Sequence, residues 1–178
     1  MAKASFAKLN LKTETAPIIV TWNNGTEKVD IEVKTYLPFA EKLQMVSNII
    51  NDSYDENDFY NPMRLEMFTV LEIIYEYTNL NITPKMKEDL FKLYDMIISS
   101  GLYKTIEAAI PEAELSSVRG NVYETIQSIY KYKNSALGIL ENLKANYEGL
   151  NLDASEIQQK LADPDNMELL KSVLTKLG

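Results

Sequence analysis

The chain has 178 residues, of which 46% are hydrophobic and 25% are charged, a composition typical of a globular protein with one buried core. Its net charge of −8 argues against nonspecific binding to nucleic acid or to an anionic membrane, because both need clustered Lys and Arg. The sequence has no cysteine and no histidine, which excludes disulfides, thiolate zinc sites, cysteine nucleophiles and the Ser-His-Asp triad.

The N-terminal stretch is polar and mildly basic. It contains three basic residues, Lys3, Lys8 and Lys12, and one acidic residue, Glu14, and it ends before Pro17. This pattern predicts a flexible arm over residues 1–16. Neither a run of signal-peptide type nor a stretch of roughly 20 apolar residues appears, so we expect a soluble intracellular protein.

A β-hairpin is predicted next, from PIIVTW (17–22) and KVDIEVK (28–34) on either side of Asn24-Gly25. Asn-Gly supplies the positive φ angles of a tight hairpin turn, and the second arm alternates apolar and charged residues, which indicates one buried face. A lone hairpin is marginal in water, so it must pack on helices or pair with another chain. An unpaired strand is a docking edge. The candidate interface residues on it are therefore Ile18, Val20 and Trp22.

From Pro38 onward the apolar residues recur at helical spacing. Prolines and capping residues mark the starts of several helices. Gly120 and Gly138 weaken the longest one, so a bend or a break is expected at either of them. Helices are expected over 38–51, 62–78, 84–99, 102–110 and about 112–147, followed by two short helices split at Asp163-Pro164. In the first helix, the apolar stripe comprises Phe39, Leu43, Val46, Ile49 and Ile50.

These elements predict a mainly α fold: a helical bundle of about five to seven helices with an N-terminal β-hairpin. The hairpin and helices form one domain over 17–149. Residues 150–178 form short C-terminal helices that are a candidate appendage.

An acidic loop, NDSYDENDFYNP (51–62), separates the first two helices, and its aromatic end, Phe59-Tyr60, is expected to fold back on the core. Four carboxylates in a short loop raise the question of a calcium site. If Asp55 is the first ligand, a phenylalanine falls where an oxygen is needed and a tyrosine where the loop needs glycine. We therefore predict a polar connector without a metal, whose acids present charge to a protein partner. The acids are Asp52, Asp55, Glu56 and Asp58.

Two other groups of residues are candidates for a catalytic or binding site. Glu66, Glu72 and Glu76 lie on one predicted helix, and paired acids can hydrolyse glycosides, but on an otherwise apolar helix they are simply the solvated face. The eleven tyrosines could stack on bases. The surrounding lysines are too few for a nucleic-acid groove, and tyrosine is enriched at protein interfaces. The sequence therefore predicts no catalytic residue and no cofactor.

The stretch IEVKTYLPFAEKL (31–43), the helix start FYNPMRLE (59–66) and the turn EYTNL (76–80) resemble small uncharacterised proteins of tailed bacteriophages of low-GC bacteria. The resemblance covers roughly residues 29 to 145 and carries no catalytic motif. It implies a role in virion assembly.

The function predicted from sequence is thus that of a non-enzymatic phage structural or assembly protein: a connector, a tail or capsid-associated component, or an assembly chaperone. Its partners would be other virion or assembly proteins and further copies of itself, without direct nucleic-acid or membrane contact. It would act in the host cytoplasm during assembly, or in the virion. The alternative is an acidic phage-encoded inhibitor that binds a host protein, with its carboxylates imitating a nucleic-acid backbone.

Overall fold

The computed structural model describes residues 5, 9–12, 16–56 and 59–146. Within these residues it has two strands and seven helices, which confirms the predicted mainly α fold with an N-terminal hairpin. The elements are β1 (Ile18–Asn23), β2 (Lys28–Val33), α1 (Phe39–Asp52), α2 (Pro62–Tyr77), α3 (Pro84–Lys87), α4 (Leu90–Ser99), α5 (Leu102–Glu107), α6 (Glu112–Lys133) and α7 (Ala136–Asn146).

The chain forms two compact units, Met1–Glu124 and Thr125–Gly178, and the division falls inside α6. The first unit contains the hairpin, α1 to α5 and the first half of α6. Most of the predicted N-terminal arm and all of the predicted helices over 150–178 lie outside the described residues.

The hairpin pairs β1 with β2 in antiparallel register, with Val20 opposite Ile31. Its turn is wider than predicted. Of the two residues expected to have positive φ angles, Gly25 has one, of 90°, and Asn24 does not. The Asn24 side chain instead accepts hydrogen bonds from the backbone N–H groups of Thr26 (2.9 Å) and Glu27 (2.8 Å), which closes a four-residue loop. The short polar side chain therefore replaces the second left-handed residue of a tight turn.

The outer edge of β2 is attached to the end of α2. The Lys34 N–H donates to the Tyr77 carbonyl (2.7 Å) and the Asn79 N–H donates to the Glu32 carbonyl (3.2 Å). The Asn79 side chain also accepts from the Glu32 N–H, at 3.1 Å. These bonds hold the hairpin on the helices, which is what a marginal two-stranded sheet requires.

The core of the first unit is centred on the packing of α1 against α2. The apolar stripe of α1 is only partly buried: Val46, Ile49 and Ile50 are in the core, but Phe39 is 75% exposed and Leu43 is 58% exposed. The prediction was therefore wrong for the first turns of this helix. The fully buried side chains around the core include Ile31, Val33, Leu37, Met45, Ile49, Ile73, Ile74, Tyr77, Ile106, Leu115 and Val118.

Two of the predicted helices are divided. The helix expected over 84–99 is interrupted at Asp89, whose carboxylate accepts from the Lys92 N–H (3.0 Å) and so caps a new helix, α4. The long helix expected to about 147 breaks at 134–135, and neither Gly120 nor Gly138 interrupts a helix. Gly138 instead permits the close approach of the chain after the break, since a Cβ there would meet the carbonyl oxygen of Tyr132.

Candidate functional site

The outer edge of β1 is the first candidate contact surface. The backbone N–H and C=O of Glu32 on β2 both bond to Asn79, so they point away from β1. Facing residues in an antiparallel pair alternate between bonded and non-bonded, so Ile18 and Val20 bond to β2 and the N–H and C=O of Ile19 and Thr21 point outward. Within the described residues, no strand pairs with this outward edge.

The edge is apolar and uncharged. Ile18 is 42% exposed and Ile19 is 59% exposed, and no charged residue occurs from 16 to 23. Natural proteins commonly protect open edges with Lys, Pro or bulges, because an unprotected edge pairs with other strands. Here Pro17 stands just before β1, and the strand itself carries no such protection.

The three interface residues predicted on the hairpin do not lie equally at this surface. Val20 and Trp22 are partly buried on the face that they share with the buried Ile31 of β2, whereas Ile18 is exposed. Ile19 is more exposed than any of them and was missed. The free edge could not be identified from the hairpin pattern alone, because the pattern does not say which strand is covered by the rest of the fold.

The acidic loop is an ordered connector. Asp55 and Phe59 form a small ladder, in which the Asp55 N–H donates to the Phe59 carbonyl (3.0 Å) and the Phe59 N–H donates to the Asp55 carboxylate (2.9 Å). The Asn61 N–H donates to the Ser53 carbonyl at 2.9 Å and closes the base of the loop. Asp55 therefore stabilises the loop itself.

The other predicted acids of the loop differ in position. Asp52 ends α1 and is exposed, and Glu56 is exposed at the tip of the loop. Asp58 lies outside the described residues. Across the described part of the chain, no three Asp or Glu side chains are placed to hold a metal ion.

The aromatic end of the loop does not fold into the core, contrary to the prediction. Phe59 is 70% exposed and Tyr60 is 41% exposed. Tyr60 packs instead on Tyr54 across the loop, with ring centroids 5.9 Å apart. The ladder turns these side chains outward, so the loop adds exposed aromatic surface beside its carboxylates.

A buried polar cluster joins α1, α2, α6 and the segment that links β2 to α1. The Glu114 carboxylate accepts from the backbone N–H of Leu37 (2.9 Å), the ammonium of Lys42 (2.9 Å) and the hydroxyl of Tyr77 (2.8 Å). Burial alone would raise the pKa of Glu114, but these three donors hold it below its ordinary value. Burial and the bond to Glu114 raise the pKa of Tyr77, which therefore stays protonated. The three donors come from different segments and all bond to one carboxylate, so this cluster is a structural joint.

The carboxylates of α2 also differ from one another. Glu66 is exposed and accepts a hydrogen bond from the Tyr94 hydroxyl at 3.0 Å. Glu72 and Glu76 are partly buried, and burial is the largest cause that raises the pKa of each. The prediction of a fully solvated acidic face therefore applies to Glu66 and not to the other two.

Comparison with known protein families, with curated proteins and with solved structures gives no significant match to this chain. None of the helices in the described residues is long and apolar enough to cross a membrane.

Proposed function

We propose that this protein is a non-enzymatic structural or assembly component of a tailed-bacteriophage particle, and that copies of it associate through the outer edge of β1. The observation that carries the proposal is that one edge of the hairpin is hydrogen-bonded to the rest of the fold and the other edge has no paired strand. The β2 edge is bonded to Tyr77 and Asn79, while the N–H and C=O groups of Ile19 and Thr21 have no strand beside them in the described chain.

A second copy of the chain is the occupant that best fits this edge. Two β1 strands related by a two-fold axis can pair antiparallel, which satisfies the outward groups of both strands at once. Like charges on the two copies would oppose this pairing, and β1 has none. The exposed Ile18 and Ile19 would bury apolar surface in the same step.

The phage setting rests on the sequence resemblance over roughly residues 29 to 145. An open strand edge can supply a repeated contact between identical subunits, which suits a structural or assembly role. In the buried polar cluster, Leu37, Lys42 and Tyr77 all donate to the one carboxylate of Glu114, which favours a structural role for the cluster over catalysis.

The proposal is tested by light scattering on the purified protein and by mass spectrometry of purified particles. We expect a molar mass that is a multiple of the 20.3 kDa chain, and the protein in or on assembling particles. Ile19→Lys should shift the mass toward the monomer, because it places like charges at the paired edge, whereas the uncharged and β-branched Ile19→Thr should remain associated. A wild-type protein that is monomeric and absent from particles would overturn the proposal.

The second candidate function is that of an acidic inhibitor of a host protein. It is favoured by the solvent-exposed face of the hairpin, where Asp30 and Glu32 are exposed. Such an inhibitor would bind a basic protein with an affinity that falls steeply as salt is added. Association through the β1 edge depends on main-chain bonds and apolar contact, so added salt should leave it nearly unchanged. The salt dependence therefore separates the two functions.

A further inference from the structure

A cleft of about 340 Å³ opens between the C-terminal half of α1, the middle of α2 and the segment that carries α3. This volume is within the range of pockets that hold small ligands or single side chains, about 300–1,000 Å³. Its apolar lining consists of Phe68, Leu71, Ile82 and Leu90, and its polar lining consists of Asn48, Asp52, Glu72, Tyr75 and Lys87.

Glu72 is the partly buried carboxylate of this cleft, whereas Asp52 is exposed to water. The one hydrogen bond of Glu72 among the described residues is a long one, 3.3 Å from the side-chain amide of Asn48. An ionised carboxylate has about four acceptor positions, so most of its capacity is free. No lysine or arginine of the described residues forms an ion pair with it.

The lysine of the cleft lies on an aromatic ring instead. The Lys87 ammonium lies 5.6 Å from the centroid of the Tyr75 ring, and it forms no ion pair with a carboxylate of the described residues. Tyr75 is 51% exposed, so its ring remains open to a further planar cation. The cleft thus combines a free acceptor with an accessible aromatic surface and an apolar floor.

Glu114 is a carboxylate of the same fold whose hydrogen bonds can be compared with those of Glu72. It accepts three donors, at 2.8 to 2.9 Å, from Leu37, Lys42 and Tyr77, and its pKa is lowered. Glu72 has one distant donor, and its pKa is raised. Glu114 thus has three hydrogen-bond donors and Glu72 has one. A bound cation would supply further donors to Glu72.

We propose that this cleft receives an arginine side chain from a protein partner, with the guanidinium bonded to Glu72 and its plane against Tyr75. Guanidinium matches a carboxylate with two parallel N–H donors and stacks on aromatic rings, while the aliphatic part of the side chain suits the apolar floor. A lysine would supply a point charge without the planar match. The partner is a protein because the proposed function is protein association, and the inference rests on that function.

The charges around the cleft favour a cation. Asp52 on α1 and Glu76 on α2 both act on Glu72 as like charges, and Lys87 on α3 opposes them. Burial raises the pKa of Glu72, the Asn48 hydrogen bond lowers it, and the two neighbouring carboxylates raise it again. Acidification that protonates Glu72 should therefore weaken the binding of a cation, and the raised pKa means that this occurs at a higher pH than for an ordinary glutamate.

The test uses the full chain and N-acetyl-L-arginine N-methylamide, an arginine mimic without charged termini, with backbone amide shifts followed by NMR. We expect saturable shifts at Asn48, Glu72 and Tyr75, with a dissociation constant on the order of millimolar for so small a ligand. Glu72→Gln should weaken binding by about tenfold or more, the loss of one charge-assisted hydrogen bond. Glu66→Gln, on the same helix but outside the cleft, is the matched control and should bind as the wild type does.

Three outcomes would overturn the proposal: no saturable shift in the wild type, equal binding by Glu72→Gln and Glu66→Gln, or equal binding of the corresponding lysine mimic. Glu72→Gln keeps the size of the side chain, and an unchanged melting temperature verifies that it folds. The mimic needs no second copy of the chain, so its binding should be the same in Ile19→Lys. Failure of this site is therefore distinguishable from failure of association through β1.

Discussion

The ammonium of Lys42 lies 2.9 Å from the carboxylate of Glu114, and the two side chains are only 11% and 9% exposed. The pair joins α1 to the first turn of α6, which are 72 positions apart in the sequence. The ammonium of Lys42 also lies 5.1 Å from the centre of the Tyr36 ring, so it contacts both a carboxylate and an aromatic ring. A buried pair of this kind makes the fold sensitive to the loss of either partner.

Lys42→Met should destabilise the protein by about 3–5 kcal/mol, because it leaves the buried Glu114 charge without its counter-charge. Urea unfolding at pH 7 measures the change. The matched control is Lys34→Met, which removes an exposed pair with Glu41 and should cost less than about 1 kcal/mol. Equal losses in the two variants would show that the buried pair contributes no more than a surface pair.

The stabilising effect of Glu114 should depend on pH. Its pKa in the folded protein is below the ordinary value, so its contribution is present above the unfolded-state pKa, about 4.3, and is lost as the pH falls through the folded-state pKa. The free-energy difference between the wild type and Glu114→Gln should therefore be largest near neutral pH and shrink in acid. Urea unfolding at several pH values tests this, and a difference that is constant down to pH of about 3 would contradict it.

Tyr77→Phe should cost about 1.5–3 kcal/mol, the range for a hydrogen bond to a charged group, because the hydroxyl of Tyr77 donates to Glu114 in the core. Tyr94→Phe is the control: the Tyr94 hydroxyl donates to Glu66 at the surface, where water replaces it. Thermal unfolding of both variants gives the comparison. The prediction fails if the two phenylalanine variants melt at the same temperature.

The acids of the loop between α1 and α2 should separate into structural and exposed ones. Asp55→Ala removes the acceptor of the Phe59 N–H and should destabilise by about 0.5–1.5 kcal/mol. Glu56→Ala, one residue further on at an exposed position, should leave unfolding unchanged within about 0.5 kcal/mol. Equal stability of the two variants would mean that the loop does not depend on its ladder.

The hairpin and the helices could be predicted because their signals are local. The alternation of Val29, Ile31 and Val33 with charged residues is contained in six positions, and the structure buries Ile31 and Val33. The proline starts of α2 and α3 are equally local, since each follows a residue whose side chain caps the helix. Patterns of this range are set by the backbone period alone.

The contacts between distant segments could not be predicted in this way. Glu114 looks like an ordinary acid in the first turn of a helix, and its burial depends on Lys42 and Tyr77, which come from other elements. Phe39 and Leu43 fit the apolar stripe of α1, but periodicity indicates a direction and not whether a neighbour covers it. Glu72 has the same limitation, because its cleft forms only when three segments meet.

The hydrogen bond from the Leu37 N–H to Glu114 makes one amide proton a reporter of distant structure. Leu37 precedes α1, and its N–H is held by a side chain 77 positions away. Its exchange with deuterated solvent requires this bond to open, and separation of the start of α6 would open it even if α1 and the hairpin stay folded. A single peak would thus follow the opening of α6 in native conditions, without a label or a mutation at the joint.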